Sequence, residues 1–354
     1  MNIDLSSNNV RKDFKVAWWK KAVLIALPLL VFLFSFCCGR FQVAPNTVVE
    51  ILWDHFMGLF GVAPTGTYTA FQESAVMALR FPRILLGLMV GAGLAVSGAA
   101  LQGMFGNPLV SPQVLGVSSG AGFGAALAIL LVENLFLTQV SAVIMGLVAV
   151  ALTFLVSKVG KGKSSVYTLV LAGTITSAFF EALISAIKFT ADPFSKLPTI
   201  TYWLMGSLAN RSFADVWHAA PLIVIGLIVL VIFRWRINIL SLDEDEAKAM
   251  GVNLKLSRFI VVVSCSVITA ATVSVCGIVG WIGLVIPHIC RSIVGPNHKD
   301  LIPACIAVGG AYLMIIDAIA RTVSSSEIPL SILTAIIGAP FFAYLLKKSG
   351  GQWK

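Results

Sequence analysis

Charge is scarce in this chain: 12% of its 354 residues are Asp, Glu, Lys or Arg, whereas 58% are hydrophobic. Soluble domains carry roughly 25% charged residues, so a soluble globule is excluded, and the mean hydropathy of +0.93 makes the bilayer the solvent. Histidine is rarer still, with four residues. No paired Asp, Ser–His pair or His-rich zinc set falls within the apolar runs, which argues against an intramembrane enzyme. The six cysteines sit in or beside apolar runs with no CxxC spacing, and so read as small hydrophobes. His288 and Cys290 in "IPHICR" are two residues apart and do not share a helix face. A nucleotide site is missing too. "SKVGKGKS" (157–164) ends like a phosphate-binding loop but has Ser157 where GxxxxGK[ST] needs glycine, and no strand precedes it. No catalytic residue, cofactor or metal is therefore expected.

What is abundant is apolar sequence in long runs. A spanning helix needs about 20 such residues to cross roughly 30 Å of hydrocarbon. Runs at 22–39, 84–105, 114–132, 139–157, 166–189, 216–233, 259–277, 279–294, 301–319 and 330–346 predict about ten transmembrane helices in an all-α polytopic protein. Nine remain possible, because "CGIVGWIGLVIP" is nearly continuous across the seventh and eighth. The basic start and first run resemble a signal peptide, but the run is long and ends "SFCCGRF" without a small-residue cleavage pattern, so it is read as a retained span.

Placing both termini in the cytoplasm puts 18 of the 25 lysines and arginines on the inner side, the bias expected of inner loops. Residues 1–21 then form a cytoplasmic segment and 22–348 the spanning domain. The net charge of +9 calls for anionic membrane lipid, with no need of nucleic acid. "SLDEDEAKAMGVN" (241–253), which holds four of the sixteen acids in succession, becomes cytoplasmic. Its sequence suits a short helix with acids in the first turn and Gly251 at the end.

The stretch 78–131 is glycine-rich. Gly87/Gly91, Gly116/Gly120 and Gly120/Gly124 have the spacing that lets helices approach closely, and Ser97, Ser118 and Ser119 can bond across them. Between the second and third runs, Gly106, Pro108 and Pro112 interrupt helix while Asn107, Ser111 and Gln113 supply polar groups. Irregular polar backbone at a membrane survives where protein buries it or where it lines a wet cavity, so this segment is a pathway candidate.

"LRFPR", "GNPLVSPQVLGVSSGAG", "LDEDEAKAMGV", "GIVGWIGLVIPHICR" and "IDAIAR...EIPLSILTAIIGAPFF" together resemble the FecCD-type permeases, over about Arg80 to Lys348. Those are membrane subunits of ATP-driven importers for iron-siderophores, haem, cobalamin and related chelates. The resemblance implies a homodimer of ten-span subunits in a bacterial inner membrane, two cytoplasmic ATPase subunits and an extracytoplasmic substrate-binding protein, with an iron complex as the commonest cargo. It implies an ATPase-coupling region at 240–256, carried by Leu242, Asp243, Glu244, Ala247, Met250, Gly251 and Val252; a merely solvated acidic loop is the plainer alternative. It implies docking of the binding protein's glutamates at Arg80, Arg83 and Arg321, where interfacial snorkelling is the alternative. It implies an inner gate at Asn107, Leu109, Ser165 and Val166. Glu181 is the one acid placed well inside a span, with Lys188 two turns along on the same face; an ion pair or local water contact is the plainer account, and direct contact with a passing substrate stays open. An ion-coupled secondary transporter stays open as a second reading, although a single mid-membrane carboxylate offers little for coupling.

Overall fold

A computed structural model describes residues 16–158, 166–324 and 326–349. Most of the 1–21 segment, the turn 159–165 and, with it, Ser165 lie outside them. The regular structure of the described residues is all helical, with no strand among them.

Ten helices correspond to the ten apolar runs: α1 (Trp18–Cys37), α4 (Phe81–Phe105), α5 (Val117–Leu131), α6 (Leu135–Ser157), α7 (Val166–Thr190), α9 (Phe213–Leu240), α11 (Leu254–Cys276), α12 (Ile282–Val294), α13 (His298–Ala320) and α14 (Leu330–Ser349). Seven are long and apolar enough to cross a membrane by length and composition, and α5, α12 and α14 are shorter apolar helices. The boundary between the seventh and eighth runs is a real break. Gly277 at φ +72° ends α11, and the next helical residue is Ile282.

Side-chain caps start several of these helices. Asn134 Oδ1 accepts from Leu137 N and Asn253 Oδ1 from Leu256 N, each satisfying one of the orphan donors of a first turn.

Four further helices connect the spans: α2 (Pro45–Gly58), α3 (Ala70–Glu73), α8 (Lys196–Met205) and α10 (Glu244–Ala249). Helix α3 runs through a π-helical turn at Ser74–Arg80 directly into α4, giving one 36-residue helix. At 1.5 Å per residue that is about 54 Å, so its outer part projects well beyond the hydrocarbon. Pro82, which has no N–H to donate, follows directly on the π turn.

Helix α4 is the hub, packed by α13, α9, α11 and α12, with α1 at its outer flank. A second group pairs α5 with α6 and α7. Both depend on absent side chains. A Cβ on Gly91 would overlap the Gly309 carbonyl, and one on Gly98 the Gly283 carbonyl, so α4 meets α13 and α12 backbone to backbone. Gly120 and Gly124 face α6 in the same way.

Candidate functional site

Two non-helical stretches, entering from opposite ends of the bundle, meet near its middle. The first lies between α4 and α5. Gly106 (φ +59°) terminates α4, Asn107 Oδ1 accepts from Leu109 N at 2.9 Å, and the chain then dives through a 3-10 turn at Pro112–Leu115. The second is the break at 277–281. Pro112 Cδ lies 2.7 Å from where a Gly283 Cβ would stand, and Gln113 Nε2 lies 3.4 Å from the corresponding point on Gly280. Leu94 O is 3.0 Å from that same Gly283 position, which sets the meeting at the level of Leu94–Gly98. Leu94 is 11 residues from the inner end of α4, about 16 Å along the axis. Ser111, Pro112 and Gln113 therefore sit at membrane depth and not at the inner face, and protein encloses them as irregular backbone requires. Thr153 Oγ1 holds the turn by donating to Leu115 O at 3.1 Å, and Gly173 of α7 packs against the Val114 carbonyl.

Beside this turn runs an unusual helix face. On α7, Thr174, Ser177, Glu181, Ser185 and Lys188 recur at intervals of three and four residues, within an arc of about 80° at 3.6 residues per turn. Thr174, Glu181 and Ser185 are exposed, and Ser119 Oγ of α5 donates to Glu181 at 3.3 Å. No ion pair joins Glu181 to Lys188 among the described residues, contrary to the sequence reading of such a pair. The neighbouring exposed arc holds Leu171, Ile175 and Phe179. One flank of α7 thus suits hydrocarbon, whereas the other carries a carboxylate and hydroxyls that hydrocarbon would penalise.

Of the expected gate residues, Asn107 and Leu109 are exposed at the inner mouth of the α4–α5 segment, Leu109 at 44%. Asn107 spends its side chain on folding its own loop. Val166 is the first residue of α7.

The acidic stretch is helical over Glu244–Ala249, and Gly251 closes it at φ +72°. Its residues divide between the chain's own bundle and the outer surface. Ala247 is 1% exposed and seats α10 on its own bundle, so it offers nothing to a partner. Glu244 is committed to Arg258 at 2.8 Å, and Val252 packs on the chain's own core. Around Ala247 the outward surface is formed by Asp245, Glu246 and Lys248 of α10 and by Leu242 (39% exposed), Asp243 and Met250 (55%) at its two ends.

At the other end the three arginines are buried within the chain. Arg80, Arg83 and Arg321 are 6%, 7% and 5% exposed. Arg83 donates through Nε and Nη2 to Asp317 at 2.8–3.0 Å and through Nη1 to Glu327 at 2.8 Å. Arg321 Nε lies 3.6 Å from Asp317, and its Nη2 donates to Ser35 O at 2.7 Å. Arg80 donates to the carbonyls of Phe36 and Phe41. Asp317 and Glu327 of the same chain thus supply the carboxylates beside Arg83 and Arg321, whereas Arg80 meets backbone carbonyls. Sequence reasoning missed Asp317, although Asp317 and Arg321 are spaced i,i+4 on one helix face.

A profile of the FecCD transport family matches residues 26–348. The molybdate import system permease protein MolB of Haemophilus influenzae is 40% identical over 335 residues, covering 93% of this chain and 97% of that protein. A probable iron chelatin transport system permease protein of Helicobacter pylori is 40% identical over 278 residues, 78% of this chain and 83% of the relative. Among solved structures, a metal-chelate type ABC transporter in an inward-facing conformation superposes with a TM-score of 0.81 at 38% identity, over 92% of this chain and 97% of that one.

Proposed function

This chain belongs to the FecCD transport family, and on that premise we propose that it is the membrane-spanning half of an importer that moves a metal complex inward along the polar flank of α7. It is a multi-pass ABC permease, which sets aside the ion-coupled secondary transporter. Two copies bring their α7 faces together around a central route in a bacterial inner membrane. Two cytoplasmic ATPase subunits drive it, and an extracytoplasmic binding protein delivers the cargo.

The observation that carries this reading is the polar stripe Thr174–Ser177–Glu181–Ser185, exposed at Thr174, Glu181 and Ser185 and half-buried at Ser177. A carboxylate and hydroxyls on the outer face of a membrane helix need water or protein against them, and a second copy enclosing a wet route supplies both. The crossing of two irregular segments at mid-depth supports a constriction beside that route, with Asn107 and Leu109 at its inner mouth. Leu242, Asp243 and Met250, exposed at the two ends of α10, form with it the surface that seats on the ATPase.

For cargo, an iron chelate suits a route walled by small and weakly polar side chains. A second reading, molybdate, is favoured by the relative that aligns over 93% of this chain. Uptake of radiolabelled ferric chelate and of labelled molybdate by cells with and without this protein separates them. Protein-dependent accumulation of the iron label alone supports the first reading, molybdate alone supports the second, and uptake that persists after the ATPase is inactivated overturns the importer itself.

A further inference from the structure

Besides the proposed route, a cavity of about 960 Å³ lies on the outside of the molecule, between α1, α13 and α4. Its walls are apolar along most of its length, from Leu24, Pro28 and Phe32 of α1 across to Leu88 and Ala307. Its inner end is different. Lys21, Arg234 and Lys299 line it there together with a single acid, Asp300, which leaves two net positive charges. Arg234 Nη1 donates to Lys299 O at 3.4 Å, so two of the three cations share one locus at the start of α13. Lys20 Nζ donates to Ile293 O at 2.7 Å and pins the base of α1 beside it.

We propose that this groove binds one anionic diacyl phospholipid of the inner leaflet, its phosphate held by Lys21, Arg234 and Lys299 and an acyl chain laid along α1. Length fits: from Val16 to Phe32 is 16 residues, about 24 Å along a helix, the reach of a headgroup and one extended acyl tail. The level fits as well. Trp18, Trp19 and Trp235 are 81%, 54% and 45% exposed around the basic end, where aromatic side chains mark the membrane–water boundary.

Something must fill the groove, because α1 is poorly held by protein. Only 11% of its most apolar stretch is buried, and Pro28 and Pro303, inside the two facing helices, line the gap between them. Basic pockets between membrane helices on the cytoplasmic side bind anionic headgroups, and each net charge near the surface is worth about fivefold in affinity. The ligand is structural and stays in place; it is not the transported species, so the proposal stands independently of the cargo.

The test is lipid retention by the full-length purified protein, read by native mass spectrometry after exchange against phosphatidylglycerol or phosphatidylcholine of equal chain length. Two net charges predict roughly a thirtyfold preference for phosphatidylglycerol. The triple variant Lys21→Gln/Arg234→Gln/Lys299→Gln should lose that preference, while Lys255→Gln, an exposed inner-side cation outside the groove, should keep it. Ile25→Trp lies on an exposed wall position and should lower retention of both lipids by filling the groove without burdening the fold. Equal retention of the two lipids by the wild type, an unchanged preference in the triple variant, or undiminished retention in Ile25→Trp would each overturn the assignment.

Discussion

Asp317→Asn should unfold the outer end of this protein far more readily than its conservative shape suggests. The carboxylate is 2% exposed and receives both Nε and Nη2 of Arg83, with Arg321 Nε at 3.6 Å. The amide keeps the volume but leaves two buried guanidinium groups without their shared counter-charge. Removing one partner of a buried pair costs roughly 3–5 kcal/mol. Arg83 retains Glu327 at 2.8 Å, which places the expected loss near the lower bound, still a large fraction of a total stability on the order of 5–15 kcal/mol. Equilibrium unfolding of the full chain in detergent micelles measures it. The double variant Arg83→Leu/Asp317→Leu removes both charges together and should recover much of the loss, because a buried pair replaced by packed apolar groups is often neutral. If Asp317→Asn unfolds within about 0.5 kcal/mol of the wild type, as surface substitutions usually do, while Arg83→Gln leaves stability intact and abolishes capture of the binding protein, these arginines serve docking and the structural reading is wrong.

Gly98→Ala should destabilise the chain by about 1–3 kcal/mol, because its methyl would meet the Gly283 carbonyl in a backbone contact that cannot yield cheaply; Gly106→Ala, in open space, should suffer only its strained φ of +59°, and thermal unfolding of the two variants side by side checks the contrast. On α10, Leu242→Asp and Met250→Asp should weaken pull-down of the ATPase subunit by roughly tenfold or more, the loss of about 1.4 kcal/mol of apolar contact, with insertion into the membrane unchanged. Ala247→Trp should instead dislodge the whole helix from its own bundle, seen as faster proteolysis at 241–253 even when no ATPase is present.

The spans were legible because a bilayer leaves so few solutions: apolar runs of the right length and a Lys/Arg asymmetry located all ten, and Gly277 turned a doubtful boundary into a visible one. Helices α2 and α8 escaped because short amphipathic segments outside the hydrocarbon give no such signal. The outward extension of α4 escaped because Pro82 reads as a helix start, whereas here it follows a π turn within a continuing helix. Long-range partners were illegible in principle. Arg83 meets Asp317 and Glu327 across more than 230 residues of sequence, so a charge count could mark it as exceptional but could not say what neutralises it. The α10 motif was found correctly as a helix; the sequence could not tell that Ala247 faces inward while Met250 faces out. Glu181 stood out as an intramembrane acid, yet its significance depends on Thr174, Ser177 and Ser185 sharing its flank, a pattern visible only once α7 has a defined outer face.

The central claim is that one flank of α7 faces a wet route and the other does not, and single-cysteine labelling tests it most directly. Cys37 and Cys38, the half-buried native thiols, are first changed to serine. Ser177→Cys, Glu181→Cys and Ser185→Cys are then compared with Leu171→Cys, Ile175→Cys and Phe179→Cys in the assembled transporter, using a charged maleimide that requires water to reach and react with the thiol. Labelling of the first three is expected, with rates that change on adding ATP, and little reaction in the second three. Equal labelling of both flanks, or none on the Glu181 side in any nucleotide state, would contradict it.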